Sequence, residues 1–166
     1  MNGTVLDILL YVFDRYMFDE TPEVPEREIL AQDLASAGFG EANVERALDW
    51  LADLAGERSR APLPDGVESD GAPRKRASLR VYSAMELTRL SVDCRGLLLS
   101  LEEVNILNPA QRELVIDRLL ALDVEDLTQE QVRWVVLMVL SSQPGQEQAC
   151  ARMETLVFDS ESGSTH

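Results

Sequence analysis

CRGLLLSLEEVNILNPAQRELVIDRLLALDVEDLTQEQVRWVVLMVLSSQ, residues 94 to 143, is the densest apolar stretch of the chain, and its reading decides the fold. Asn108 followed by Pro109 marks a helix start, because the Asn side chain accepts from an orphan backbone N–H and proline needs no donor in a first turn. Gln111 stands three residues after Asn108, as in a capping box, and Thr128 with Gln131 repeats the device. The stretch therefore divides into three helices, 94 to 107, 109 to 122 and 129 to 141, joined by connections short enough for antiparallel neighbours. In the third, Trp134 to Leu140 runs without a polar residue, so no side of that turn can face water cheaply. The spacing predicts a central helix. A membrane span would need roughly 20 apolar residues, whereas Glu130 and Arg133 precede this run and Gln143, Pro144 and Gly145 end it.

Toward the N-terminus, residues 4 to 18 carry two adjacent apolar stripes, Val5, Ile8, Leu9, Val12 and Tyr16 beside Leu6, Leu10, Phe13 and Met17. A helix so broadly apolar packs on two neighbours and bridges the N-terminal part to the bundle. Thr21, Pro22 and Pro25 break the chain; a short helix from Glu26 to Ala37 then stops at Gly38. A third helix spans Glu41 to Ala55, with Val44, Ala47, Leu48, Leu51, Leu54 and Ala55 inward and Gly56 closing it. The tight glycine-containing turn between these two matches a helix-turn-helix pattern, and ubiquitin-binding and other three-helix modules use much the same turn. Leu79 to Tyr82 reads as a short strand, Ser83 with Glu86 caps a small helix at 84 to 90, and 146 to 158 forms a last helix with Ala149, Met153, Leu156 and Val157 inward.

The chain is thus mainly α, an N-terminal helix-turn-helix packed on a C-terminal helical bundle. Its parts are 1 to 56, a flexible linker or wing loop at 57 to 78, a strand and helix at 79 to 92, the bundle at 93 to 158 and a disordered tail at 159 to 166. The order of elements is also that of a winged-helix domain, in which 57 to 82 would form the wing.

A net charge of -15 is unevenly spread: 13 acids against 5 bases in residues 1 to 60, 4 against 5 in 61 to 92, and 13 against 5 in 93 to 166. Two acidic bodies flank a mildly basic connector, a field that repels phosphate backbones and lipid head groups and attracts basic surfaces. The N-terminal apolar run has no basic lead and is interrupted by Asp7, Asp14 and Arg15, so it belongs to the fold and the expected location is the cytoplasm.

The segments LDILLYVFDRY (6 to 16), LAQDLASAGF (30 to 39), VERALDWLADL (44 to 54), RVYSAMELTRL (80 to 90), DCRGLLLSLE (93 to 102) and WVVLMVLSSQPG (134 to 145) occur in one order over nearly the whole chain. In this the chain resembles the bacterial Smg family. The resemblance implies a protein without an established activity, of a family found mainly in proteobacteria and often encoded near genes for DNA uptake and processing. It brings no catalytic or binding residue with it.

The chemistry of catalysis is sparse. Cys94, at a helix start beside Arg95, is the one candidate nucleophile, yet the only histidine is the terminal His166. A small buried residue is the better reading of Cys94, and Cys150 faces inward. Asp123, Glu125 and Asp126 lack the alternating ligands and central glycine of a calcium loop. There is no GxGxxG or GxxxxGK[ST], and no cofactor is implied.

The expected function is therefore non-enzymatic, a cytoplasmic protein-interaction module. Glu41, Glu45, Asp49 and Asp53 recur every four residues and make an acidic row opposite Val44, Leu48 and Leu51. They are the candidate protein-binding residues, and the partner they imply is a protein with a basic surface. The alternative is a winged-helix nucleic-acid binder contacting phosphate through Arg74, Lys75, Arg76 and Arg80, a reading that the net charge disfavours.

Overall fold

The computed structural model describes residues 3–16, 25–60, 81–122, 124–143 and 145–162, without the side chains of 57–60 and 160–162. Within them lie eight helices: α1 (Val5–Tyr16), α2 (Arg27–Ser36), α3 (Glu41–Arg60), α4 (Ala84–Arg89), α5 (Val92–Glu103), α6 (Pro109–Ala121), α7 (Gln129–Ser142) and α8 (Glu147–Ser162). The predicted linker from 61 onward, Leu79 and Arg80 of the expected strand, and the end of the tail lie outside the described residues.

The unbroken apolar run makes α7 the hub. It touches α1, α3, α5, α6 and α8, and Val132, Val135, Val136, Leu137, Val139 and Leu140 are all sealed from solvent. The broadly apolar α1 meets two neighbours, α3 and α7: Val5, Leu6, Ile8, Leu9, Val12 and Phe13 are buried, Leu10 and Tyr16 half-buried, and Met17 lies outside the described residues. Phe13, Trp134 and Phe158 continue this packing as an edge-to-face series from α1 through α7 to α8. Both capping boxes form as the sequence requires. Asn108 Oδ1 accepts from Gln111 N–H at 2.8 Å while Gln111 Oε1 accepts from Asn108 N–H at 2.9 Å, and Thr128 and Gln131 do the same.

Several boundaries differ from expectation. Helix 94 to 107 begins two residues earlier, because Ser91 Oγ accepts the Cys94 N–H, and ends at Glu103. There Asn105 turns left-handed (φ 59°), its N–H donates to the Glu102 carbonyl, and Ile106 N–H donates to the Leu101 carbonyl at 2.9 Å. This is the Schellman arrangement, which needs a residue tolerant of positive φ, and asparagine serves in place of glycine. Gly38 (φ 95°) ends α2 in the same way, with Phe39 N–H on the Leu34 carbonyl.

Gly56, by contrast, does not close its helix: α3 continues through it to Arg60. A glycine in a helix costs about 1 kcal/mol relative to alanine but forbids nothing. Val81 and Tyr82 form no strand, and no strand occurs among the described residues, where no partner edge is present to satisfy one. Tyr82 instead lies beside Arg95, its ring 5.7 Å from the guanidinium carbon. On α8 the inward stripe is Met153 and Val157; Leu156, expected inward, is 41% exposed. That helix also runs past Phe158 to Ser162, no proline or glycine intervening before Gly163.

Candidate functional site

Helix α3 starts where the α2 turn releases the chain, with Val44 N–H donating to the Gly40 carbonyl. Its inner face is Val44, Ala47, Leu48, Trp50 and Leu54, all buried, while Leu51 is half-buried and Ala55 exposed. The opposite face carries Glu41, Glu45, Asp49 and Asp53, every one exposed. The structure thus keeps the acidic row together on one side of one helix. It also shows what the sequence did not reveal: Arg27, the first residue of α2, reaches over and donates from Nη2 to Glu45 Oε2 at 2.9 Å and Asp49 Oδ1 at 2.8 Å. Its hydrogen bonds with Asp49, then Glu45, raise the Arg27 pKa above the ordinary arginine value. The middle of the row is partly neutralised from within, and Glu41 and Asp53 at its two ends stay outside this clasp.

Below Asp53 the row meets a second cation. Arg118 of α6 is almost fully buried, with Nη1 3.6 Å from Asp53 Oδ2 and Nη2 2.9 Å from Asp117 Oδ2. Its guanidinium lies 5.7 Å from the centre of the Trp50 ring. A tryptophan on a buried helix face must find an acceptor for its indole N–H, the one signal in the sequence that could have pointed here; the Trp50 partner is the Arg118 carbonyl, 2.9 Å away.

Beside these residues opens a cleft of about 330 Å³, lined by Val5 of α1, Arg46, Asp49, Trp50 and Asp53 of α3, Arg89 of α4, and Leu120 to Leu122 at the end of α6. Arg89 spends its donors on main chain, Nη2 to the Leu122 carbonyl at 2.5 Å and Nε to the Val124 carbonyl at 3.1 Å. It thereby fixes the chain leaving α6 and closes one wall. The cleft's lining mixes apolar Val5 and Leu120 to Leu122 with charges of both signs, Arg46 standing with Asp49 and Asp53 on one face of α3 and Arg89 on α4. Those groups can bind and orient a charged chain.

The nucleic-acid candidates Arg74, Lys75, Arg76 and Arg80 lie outside the described residues, as does Asp123. Cys94 is sealed from solvent, its Sγ 3.2 Å from the Leu127 carbonyl. Cys150 is half-buried; burial, then Glu154, pushes its thiol up to about 11, so it is protonated at neutral pH. Among the described residues no group of three or more His, Cys, Asp or Glu side chains is placed to hold a metal ion, and no helix is long and apolar enough to cross a membrane.

Residues 5–166 match a protein family of unknown function, DUF494. Over the whole length of both chains, the sequence is 44% identical to the "Protein Smg homolog" of Nitrosococcus oceani, 41% identical to that of Methylococcus capsulatus, and 43% identical to that of Xanthomonas euvesicatoria pv. vesicatoria. No solved structure matches the chain.

Proposed function

The chain belongs to the Smg family, and from that premise we propose that it is a non-enzymatic, cytoplasmic protein-interaction module whose α3 outer face docks a partner with a basic surface. The observation that carries this reading is the exposed row of Glu41, Glu45, Asp49 and Asp53 on one rigid helix, set in a chain of net charge -15. Preorganised like charges on a helix give a partner of opposite sign a long-range field for encounter and a fixed register on arrival. In a winged-helix protein the equivalent helix would meet DNA, and this one would present four carboxylates to the phosphates. The two cysteines support the non-enzymatic reading, one being buried against a carbonyl and the other protonated at neutral pH.

The test is photo-crosslinking in the cell from Ala52, an exposed position on the same side of α3. Capture of a discrete partner through a basic contact surface is expected, and it should be lost when Glu41, Glu45, Asp49 and Asp53 are changed together to their amides. Capture indifferent to those changes would remove the row from the function. A short DNA duplex at low salt should leave the protein unbound; tight binding with a steep salt slope would favour the nucleic-acid reading instead.

A further inference from the structure

We propose that the chain pairs with a second copy of itself through the outer side of α5, the two helices lying antiparallel about a two-fold axis at Leu99. This goes beyond the acidic-row reading and uses none of its residues.

The inner side of α5 is spoken for: Cys94, Leu98 and Leu101 are buried, and the helix meets α6 and α7. Its outer side is apolar and open. Val92 and Leu99 are 73% and 45% exposed, and residues seven apart stand on one side of a helix. Gly96 lies between them, with no atom within 4 Å of the place a Cβ would take. A second backbone can come close there, since the distance between packed helices is set by the size of the side chains at the contact.

The charges on this side name the occupant. Arg95, Leu99 and Glu103 follow at intervals of four and so share it. Among the described residues neither charge has an ion-pair partner. Glu103 is exposed, and the half-buried Arg95 has the ring of Tyr82 beside it and an Nε buried without a hydrogen bond. In an antiparallel pair with its axis at Leu99, residues equally far before and after Leu99 face each other. Arg95, four before, meets Glu103, four after, of the other copy, and the symmetry repeats the contact. Gly96 likewise faces Glu102, whose carboxylate is turned to Arg112 at 2.6 Å. The side is thus complementary in charge to itself, with Leu99 packing on Leu99 at the centre.

Such a contact is small. Two helices of 12 residues, each about 18 Å long, cover less than the roughly 1,200 Å² of a stable interface. Each copy also carries a net charge of -15, and the mutual repulsion opposes pairing. The dimer is therefore weak and forms at high concentration.

The experiment is sedimentation equilibrium of the full chain at about 0.15 M salt, where repulsion is screened beyond about 8 Å. A monomer-dimer equilibrium with a Kd below about 1 mM is expected. Arg95→Glu sets acid against acid at both contacts and Glu103→Arg sets base against base, so each alone should weaken self-association about tenfold or more. Mixed in equal amounts, the two variants should pair with each other at least as tightly as the wild type with itself, because every contact again joins opposite charges. Leu99→Cys, at an exposed position on the axis, should give a disulfide-linked dimer under mild oxidation, whereas Glu41→Cys on α3 should not. If Arg95→Glu loses helical circular dichroism, Glu103→Arg and Leu99→Cys, both at exposed positions, decide the matter alone. A chain monomeric up to about 1 mM, charge variants that associate as the wild type does, or a mixture no tighter than its components would overturn the proposal. A dimer that Leu99→Cys does not link would place the interface elsewhere and overturn it too.

Discussion

Trp50 and Arg118, on α3 and α6, bond each other's backbone: the indole N–H donates to the Arg118 carbonyl at 2.9 Å, and the Arg118 guanidinium donates to the Trp50 carbonyl at 3.4 Å. The first bond matters more, because the Arg118 carbonyl is among the last four of α6 and has no intrahelical partner to claim it. The acidic helix is thus fastened to the bundle by a contact that closes a helix end.

Trp50→Phe keeps one aromatic ring, loses the other together with the donor, and does so at a buried position. It leaves a buried carbonyl unsatisfied and should cost about 1 to 3 kcal/mol, read as a lower urea midpoint with an unchanged slope. A midpoint that stays in place would mean that water or a shifted Arg118 replaces the indole.

Leu137→Ala, at the sealed centre of α7, should cost about 2 to 5 kcal/mol through lost burial and the cavity left behind. Leu156→Ala, on the exposed side of α8, should fall within about 0.5 kcal/mol of wild type, as exposed substitutions usually do. Equal effects in urea unfolding would show that the two helices are not packed as described.

The contrast between Leu137 and Leu156 shows how far the fold was legible. Continuous apolarity over Trp134 to Leu140 announces a central helix, and Asn108, Thr128 and Ser83 announce helix starts, since both are local properties of the chain. Leu156 sits one residue from Val157, and periodicity alone could not say which of the two faces α7. Asn105 as a stop and Gly56 as a non-stop reverse the usual glycine expectation, because the φ that a residue adopts is settled by the hydrogen bonds available around it. At the site, the row from Glu41 to Asp53 was legible as spacing on one helix. Arg27, far away in sequence, was not, because no periodicity links the start of α2 to the outer face of α3.

Asn105→Ala should destabilise by about 1 kcal/mol or less, since asparagine already bears a β-carbon and what is lost is only the greater tolerance of left-handed backbone that its short polar side chain gives. Asn105→Gly should be neutral or stabilising. Thermal unfolding of the pair checks this, and an alanine variant as stable as the glycine one would show that the α5 turn relaxes out of its left-handed form.

Cys150 gives a pH-dependent readout. With its thiol raised from 9.0 to about 11 in the folded protein, alkylation at pH 8 should run about tenfold slower or more than for a free cysteine, the smaller thiolate fraction being only partly offset by a stronger nucleophile. Below pH 9 the thiol is neutral in both folded and unfolded chains and its contribution to stability is intact. Between pH 9 and 11 only the unfolded thiol ionises, so that contribution is lost as pH rises. Glu154→Gln should speed the alkylation, because Glu154 is one of the groups raising the thiol; no change would mean that burial and Glu147 set the value without it.

Arg27 decides how strongly the acidic row is felt. Its guanidinium holds Glu45 and Asp49, so it subtracts one charge from the middle of the face proposed to draw in a basic partner. All three side chains are substantially exposed, and pairs of this kind do little for stability. Arg27→Gln should therefore leave the unfolding curve and the helical circular dichroism almost unchanged, while speeding association with a basic peptide severalfold at low ionic strength. The advantage should shrink as salt rises and the screening length falls toward about 10 Å at 0.1 M. The companion substitution Glu45→Gln should act in the opposite direction, slowing association at low salt. Stopped-flow fluorescence of a labelled peptide against salt concentration measures both. Equal on-rates for wild type and Arg27→Gln across the whole salt range would mean that the approaching cation never senses this part of α3.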